Sequence, residues 1–196
     1  MTYVNVEANP SVLALDVGGR PLDWLHWAVA VCLHVRGQIA WTAGSGAISV
    51  RGGYNHATGE RSIIEISTIV AIRNARAVFQ ETGPPALTNT ALFRRDRMTC
   101  MYCGGRYGQN DLTRDHIQPT SRGGFDTWTN VTTSCRPCNS RKDDRYPEEA
   151  GMELLALPYQ PSPVEALILA NRRVLVDQHN FLIRHIPKAR RGMYYV

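Results

Sequence analysis

Two pairs of cysteines constrain the structure of this chain more than any other feature of its sequence. Each pair has the spacing CxxC, Cys100 with Cys103 and Cys135 with Cys138, and 31 residues lie between the pairs. Two residues between paired cysteines let both thiolates bind one metal ion from a tight turn, and two such turns complete a tetrahedral zinc site. Because four thiolates leave no open coordination position, we predict a structural zinc ion that does no chemistry. A redox-active CxxC or four reduced thiols are the alternatives.

The positive charge of the chain is concentrated around these cysteines. The net charge is +5, and residues 88–146 contribute +4 of it, with 10 Lys and Arg against 6 Asp and Glu. Such a surplus indicates an acidic partner, nucleic acid before membrane. No apolar run approaches the roughly 20 residues that span a bilayer. The N-terminus lacks the residue order of a secretory signal, so we expect a cytoplasmic protein.

The chain is predicted to have three regions. Residues 1–87 form a mixed α/β accessory region that ends near the chain-breaking stretch Gly83-Pro84-Pro85. Residues 88–152 contain the cysteines, and residues 153–196 form a helical extension with a basic tail.

Hydrophobic periodicity predicts the main elements outside the cysteine segment. We expect strands over 11–16 and 63–72, an apolar helix over 22–37, and one long amphipathic helix over 163–186. The stretch 43–62 is rich in Gly and Ser, which predicts loops or weak strands.

The segment between the two CxxC turns, which we call the first and second zinc knuckles, has a recognisable order of elements. LTRDHI (112–117) and NVTTS (130–134) predict two short strands, and the second knuckle opens a helix that contains Asn139 and Lys142. In the first strand Asp115 directly precedes His116, and alternation sends adjacent side chains to opposite faces. The predicted order is strand, loop, strand, helix, tied at both ends by one zinc ion.

This combination resembles the HNH nuclease family, with its ββα-metal fold, in the variant held by two CxxC knuckles. The resemblance covers residues 90–152, and the SRGG and PEEAG stretches resemble bacterial and phage members. The last His of the family's name is replaced by an asparagine, a substitution also seen in active members. The resemblance implies an α+β protein: an HNH core with a structural zinc site of four cysteines, an N-terminal mixed α/β region and a C-terminal amphipathic helix. The matching residues are Asp115-His116, Asn130, Cys135, Cys138, Asn139 and Lys142.

The family resemblance also implies a function, a metal-dependent endonuclease that hydrolyses DNA, with RNA not excluded. His116 would be the general base, since the unperturbed pKa of histidine, about 6.5, suits proton transfer near neutral pH. Asp115 and Asn139 would bind Mg²⁺ or Mn²⁺ through hard oxygen atoms. Asn130 would hold the loop that follows His116 in register. The products would end in 5′-phosphate and 3′-hydroxyl.

Each of these residues also has a simpler interpretation. Asp115 and His116 can be a solvated surface pair, Asn130 can form a turn, and Asn139 can cap a helix. The competing function is therefore a zinc-stapled nucleic-acid-binding module without catalysis. One site cuts one strand, so a monomer would nick DNA and a homodimer could break both strands. A component of a phage packaging machine is a third hypothesis.

Basic side chains near the predicted site are candidates for contacts to DNA phosphates. Such contacts give salt-sensitive affinity with little sequence information. The tryptophan of the connecting loop, Trp128, is expected to pack the hairpin in preference to stacking on a base. The basic candidates are Arg114, Arg122, Arg136, Arg141, Lys142 and Arg145.

Overall fold

The chain forms two units, which we call the sheet unit and the zinc unit. A computed structural model describes residues 2–4, 10–75, 79, 85–170 and 173–194. The sheet unit comprises residues 1–83 and 171–196, and the zinc unit comprises residues 84–170. The structure thus has two units where the sequence predicted three regions, because residues beyond 152 are divided between both. Gly83 and Pro84 of the predicted boundary lie outside the described residues.

The sheet unit is built on a five-stranded mixed sheet in the order β1-β4-β5-β2-β3. β1 is parallel to β4, β5 is parallel to β2, and the other neighbours are antiparallel. Apolar side chains of the central strands form its core, including Val12, Ile48 and Val70. The strands are β1 (Thr2–Val4), β2 (Ser11–Leu15), β3 (Pro21–His26), β4 (Ile39–Tyr54) and β5 (Arg61–Ile72).

Among the described residues, the sheet unit includes the helices α1 (Trp27–Val35), α5 (Val176–Arg184) and α6 (Lys188–Arg191). The predicted helix over 22–37 begins only at Trp27, because Leu25 and its neighbours pair with β2 as strand β3. On α5, the fully buried Gln178 donates its side-chain amide to the backbone oxygens of Ser11 and Thr68, which ties the helix to the sheet.

The single long helix predicted over 163–186 is wrong, since the structure has two helices there. α4 (Pro163–Ala170) lies in the zinc unit and α5 lies in the sheet unit. Leu175 has the extended backbone of an N-cap, and its N–H donates to the Gln178 side chain at 3.0 Å, so a new helix begins after it. Apolar periodicity continues across this break, which is why the sequence did not show it.

The zinc unit contains the predicted strand, loop, strand and helix. α2 (Asn89–Arg95) precedes a hairpin of β6 (Leu112–His116) and β7 (Val131–Cys135), and α3 (Arg136–Lys142) follows directly. Pro137 lies in the first turn of α3, where its missing N–H costs no hydrogen bond. One buried core cluster of the unit comprises Leu92, Phe93, Leu112, Trp128 and Val131. The α+β fold class and the ββα arrangement are confirmed. Among the described residues, no helix has the length and apolarity to cross a membrane.

Candidate functional site

The four predicted zinc ligands come together at one end of the hairpin. Their sulfur atoms all lie within 4.8 Å of one another, and the Cys103 and Cys135 sulfurs are 4.0 Å apart. A tetrahedron with Zn–S bonds of about 2.3 Å places its sulfurs about 3.8 Å apart. Cys100 and Cys103 lie in a turn, whereas Cys135 ends β7 and Cys138 lies in α3. The set of four soft donors and its spacing fit a structural zinc ion, as predicted.

Hydrogen bonds prepare one of these thiols for metal binding. A backbone hydrogen bond at Gly105, followed by one from the Tyr107 hydroxyl, lowers the pKa of Cys103 to about 6. Burial has the opposite effect at Cys138 and raises the pKa of its thiol. A bound zinc ion favours the thiolate at all four positions, which offsets the cost of burying Cys138.

The hairpin register fixes where the two central residues point. Asp115 lies opposite Thr132 and His116 lies opposite Val131 in an antiparallel ladder. Successive residues of a strand face opposite sides, so β6 has an inner face, with Asp115 towards α3, and an outer face with Arg114 and His116. Contacts on each face agree with this assignment.

On the inner face, Asp115 is enclosed by two partners. Lys142 of α3 places its ammonium nitrogen 3.0 Å from Oδ1, and the hydroxyl of Tyr102 donates to Oδ2 at 2.5 Å. The Asp115 side chain is only 5% exposed and that of Lys142 only 1%. Burial, together with the hydrogen bond to Asp115, raises the pKa of Tyr102, so its hydroxyl stays protonated as a donor. This buried ion pair joins the helix to the strand.

On the outer face, His116 is paired with an acid of the connecting loop. Its Nε2 lies 3.1 Å from Oδ1 of Asp126, and the Arg114 guanidinium donates to the other oxygen of the same carboxylate. The hydrogen bond from Arg114 is the main reason that the pKa of Asp126 is lowered. The carboxylate is therefore ionised near neutral pH. The Asp126 side chain is 52% exposed and that of His116 is 24% exposed.

A single asparagine holds the loop between the strands. The Asn130 side chain accepts from the Gln118 N–H at 2.9 Å and donates to the carbonyls of Gln118 and Phe125 at 3.1 and 2.9 Å. Gly124 also belongs to this arrangement, because a Cβ there would lie 1.9 Å from the Gln118 oxygen. These contacts join the backbone at Gln118, two residues after His116, to that at Phe125, the neighbour of Asp126.

Asn139 lies on α3 one turn before Lys142. Residues three apart lie on the same face of a helix, so Asn139 is on the side of α3 that carries Lys142 towards Asp115. Its side chain is half-buried. The structure thus brings Asp115 and Asn139 to facing elements, while His116 lies on the other face of its strand.

The basic side chains predicted to contact DNA phosphates differ in their exposure and in their partners within the protein. The Lys142 ammonium is buried against Asp115, and Arg122 makes a two-pronged ion pair with Glu149, its Nη1 lying 2.9 and 2.8 Å from the two carboxylate oxygens. Arg114 is held by Asp126, and Arg145 donates to backbone carbonyls of α3. Arg136 and Arg141 are exposed at the surface, and Arg136 donates to the Asn110 carbonyl at 2.9 Å.

Two residues at the candidate site were not predicted from the sequence, and the structure shows the surroundings of a third. Tyr102 and Asp126 were not predicted, although Tyr102 lies between two zinc ligands and Asp126 follows the glycines of the SRGG turn. Trp128 is 5% exposed, donates to the Pro85 carbonyl at 2.8 Å and has the Arg95 guanidinium 5.6 Å from its ring centre. It packs the unit, as expected, and presents no face to a base.

Comparison with known proteins bears on this same segment. Residues 100–155 match a family model described as HNH endonuclease. No curated protein matches the chain. The match begins at the first zinc cysteine and includes both strands of the hairpin, the connecting loop and α3. The segment that holds the cysteine cluster, the Asp115–His116 strand and Asn139 is therefore similar to the HNH endonuclease family.

Proposed function

We propose that the protein is a metal-dependent endonuclease that hydrolyses DNA phosphodiester bonds. The observation that carries the proposal is the fixed position of His116, between an ionised carboxylate on one side and a loop clamped by Asn130 on the other. The match of residues 100–155 to the HNH endonuclease model supports the reaction class. Hydrolysis of a phosphodiester needs a base for water, neutralisation of phosphate charge and stabilisation of the leaving oxygen.

His116 is the proposed general base. When Nε2 carries the proton and donates it to Asp126, the lone pair of the neutral imidazole is on Nδ1. Nδ1 is then the atom that takes a proton from water, and Asp126 stabilises the imidazolium that results. The Asn130 contacts keep the backbone on either side of this pair in place, so the imidazole needs no reorganisation before reaction.

Asp115 and Asn139 are the proposed ligands of the catalytic ion. Both offer hard oxygen atoms, as Mg²⁺ and Mn²⁺ prefer, and each Asp115 oxygen keeps a second lone pair beside its present hydrogen bond. The Lys142 ammonium is the competing cation, so metal binding has to share or displace it. A bound ion would neutralise the scissile phosphate and stabilise the departing 3′ oxygen. One site acts on one strand, so a monomer nicks and a homodimer can cut both strands.

Conversion of supercoiled plasmid to the nicked form tests this proposal. The wild-type protein is incubated with Mg²⁺ or Mn²⁺ beside His116→Ala and the matched control His56→Ala, which changes an exposed histidine of the sheet unit. We expect His116→Ala to lose about 10²- to 10⁴-fold in rate, and the control to lose none. Zinc content measured for each protein checks that the fold is retained. Equal nicking by all three proteins, or none by any, refutes the proposal. RNA substrates of the same sequence then define the substrate.

A binding module without catalysis is the second candidate, and one observation favours it. Both oxygens of Asp115 already have partners inside the protein, and one of these partners is a cation. A protein that binds DNA with salt-dependent affinity, and cuts none with any divalent ion, fits this candidate and not the first.

A further inference from the structure

The zinc unit carries a second basic surface that none of the candidate catalytic residues lines. It is an open groove of about 530 Å³ beside the first zinc knuckle. Arginines line it from three chain positions, together with a methionine, a tyrosine and a glycine. The lining residues are Arg94, Arg97, Met98, Arg106, Tyr107 and Gly108.

The zinc knuckle itself builds this groove. After α2, Arg97 and Met98 both have left-handed backbones, with φ of 55° and 56°, which turn the chain away from the helix. An antiparallel bridge then pairs Thr99 with Arg106, and the Tyr107 N–H donates to the Met98 carbonyl at 3.0 Å. The turn between these two segments holds Cys100 and Cys103. Arg97 and Arg106 therefore lie on two short paired segments, and the turn that joins these segments holds two of the zinc ligands.

The charge of the groove is positive and not cancelled by its lining. The six lining residues include three guanidinium groups and no carboxylate. Asp96, the neighbour of Arg97, has both carboxylate oxygens bound to Arg95, at 2.7 and 3.0 Å, and one of them also accepts from the Thr133 N–H. Asp111 lies at the rim, where its carboxylate approaches Gly108.

Exposure separates the arginines into two kinds. Arg94 donates to the Leu169 and Ala170 carbonyls and is half-buried, so it supports the groove wall. Arg97 and Arg106 are exposed at the groove. An exposed guanidinium binds phosphate oxygens in pairs of hydrogen bonds. The half-buried side chains of Met98 and Tyr107 in the lining offer apolar surface to a sugar.

We propose that this groove binds the phosphate backbone of the DNA substrate, with Arg97 and Arg106 each contacting a phosphate. This inference rests on the proposed function for the identity of its ligand. It places a backbone contact away from the catalytic residues, where the sequence analysis predicted none. Such a contact adds affinity and orientation without reading bases.

The test measures binding of a labelled DNA duplex by fluorescence anisotropy between 50 and 200 mM salt, without added divalent ion. The test variant is the full chain with Arg97→Gln and Arg106→Gln. The matched control is Arg36→Gln with Arg51→Gln, which removes the same charge from two exposed arginines of the sheet unit. Zinc content of each protein reports retention of the fold around Cys100 and Cys103.

We expect the groove variant to lower the slope of log K against log salt by about 1.8, since each lost phosphate contact removes about 0.9. At about 0.1 M salt this corresponds to roughly 60-fold weaker binding. The loss should be equal on two duplexes of unrelated sequence, and the control pair should keep the wild-type slope. Asp111→Asn should strengthen binding, because it removes the acid at the rim.

An unchanged slope in the groove variant, or an equal loss in the control pair, overturns the proposal. Plasmid nicking separates this outcome from failure of the proposed function. If the slope falls as expected and the wild-type protein cuts nothing, the groove stands and the nuclease assignment falls. If His116-dependent nicking is present and the slope is unchanged, the nuclease assignment stands and the groove proposal falls.

Discussion

Two carboxylates lie against opposite faces of strand β6, and they differ in burial and in their partners. Asp115, on the inner face, is almost fully buried and is bonded to Lys142 and Tyr102. Asp126, on the outer face, is half exposed and is bonded to Arg114 and His116. Two unit charges about 3 Å apart attract by about 1.4 kcal/mol in water and about 5.5 kcal/mol at an effective dielectric constant of 20. The same kind of ion pair therefore has different uses on the two faces.

The inner pair suits a structural role, and the outer pair suits the orientation of one side chain, that of His116. Breaking a buried pair leaves an uncompensated charge, which is costly, so the inner pair fixes α3 against β6. An exposed pair contributes little to stability. The outer pair instead orients the imidazole of His116, because the Asp126 carboxylate favours the tautomer in which Nε2 carries the proton.

The largest expected effect is on the inner face. Lys142→Met leaves the Asp115 carboxylate buried without its cation, and we expect it to reduce the free energy of unfolding by about 3–5 kcal/mol. Urea unfolding of the zinc-loaded protein measures this. Arg141→Met, the exposed neighbour on α3, is the control and should change stability by less than about 0.5 kcal/mol. Adding Asp115→Asn to Lys142→Met should recover part of the loss, because the unpaired charge is then gone. If Lys142→Met is as stable as the control Arg141→Met, the ion pair of Lys142 with Asp115 has no structural role.

The next effect concerns activity on the outer face. Asp126→Asn removes the acceptor that orients His116, and we expect nicking at saturating DNA to fall by about 10- to 100-fold, as when the outer partner of a metal-bound histidine is lost. Stability should change by less than about 1 kcal/mol, since the pair is exposed. Glu149→Gln, which breaks the exposed pair with Arg122, is the control and should retain its turnover rate. Wild-type activity in Asp126→Asn would show that the contact with His116 is incidental.

The smallest effect is on the pH dependence of stability. The hydrogen bond from Arg114 lowers the pKa of Asp126, and the backbone N–H of Tyr146, followed by Arg122, lowers that of Glu149. A carboxylate whose pKa is lower in the folded state stabilises the protein above its unfolded pKa, about 4, and this contribution is lost as pH falls through the folded value. Urea unfolding of the wild type and of Asp126→Asn with Glu149→Gln should therefore differ at pH 6 and converge below pH 4. A difference that stays constant with pH contradicts this.

The sequence predicted the zinc ligands and the ββα order because both depend on local spacing. The CxxC pairs and the strand alternation around Asp115 and His116 need no knowledge of distant contacts. The partners of Asp115 and His116 could not be predicted in this way, since Tyr102 and Asp126 reach them only after the chain has folded. In the sheet unit, the glycine-rich stretch becomes part of the long strand β4 because it pairs with β5. Two of the three irregularities in this ladder fall at glycines of that stretch.

The packing of Trp128 provides a natural optical probe of the zinc unit. The chain has four tryptophans, and the other three, Trp24, Trp27 and Trp41, all belong to the sheet unit. The Trp128 indole is buried, with its N–H bonded to the Pro85 carbonyl and a guanidinium above the ring. Solvent entry on unfolding shifts the emission of such an indole to longer wavelength. A variant that retains Trp128 and has phenylalanine at the other three positions would let the unfolding of the zinc unit be recorded by its intrinsic fluorescence alone.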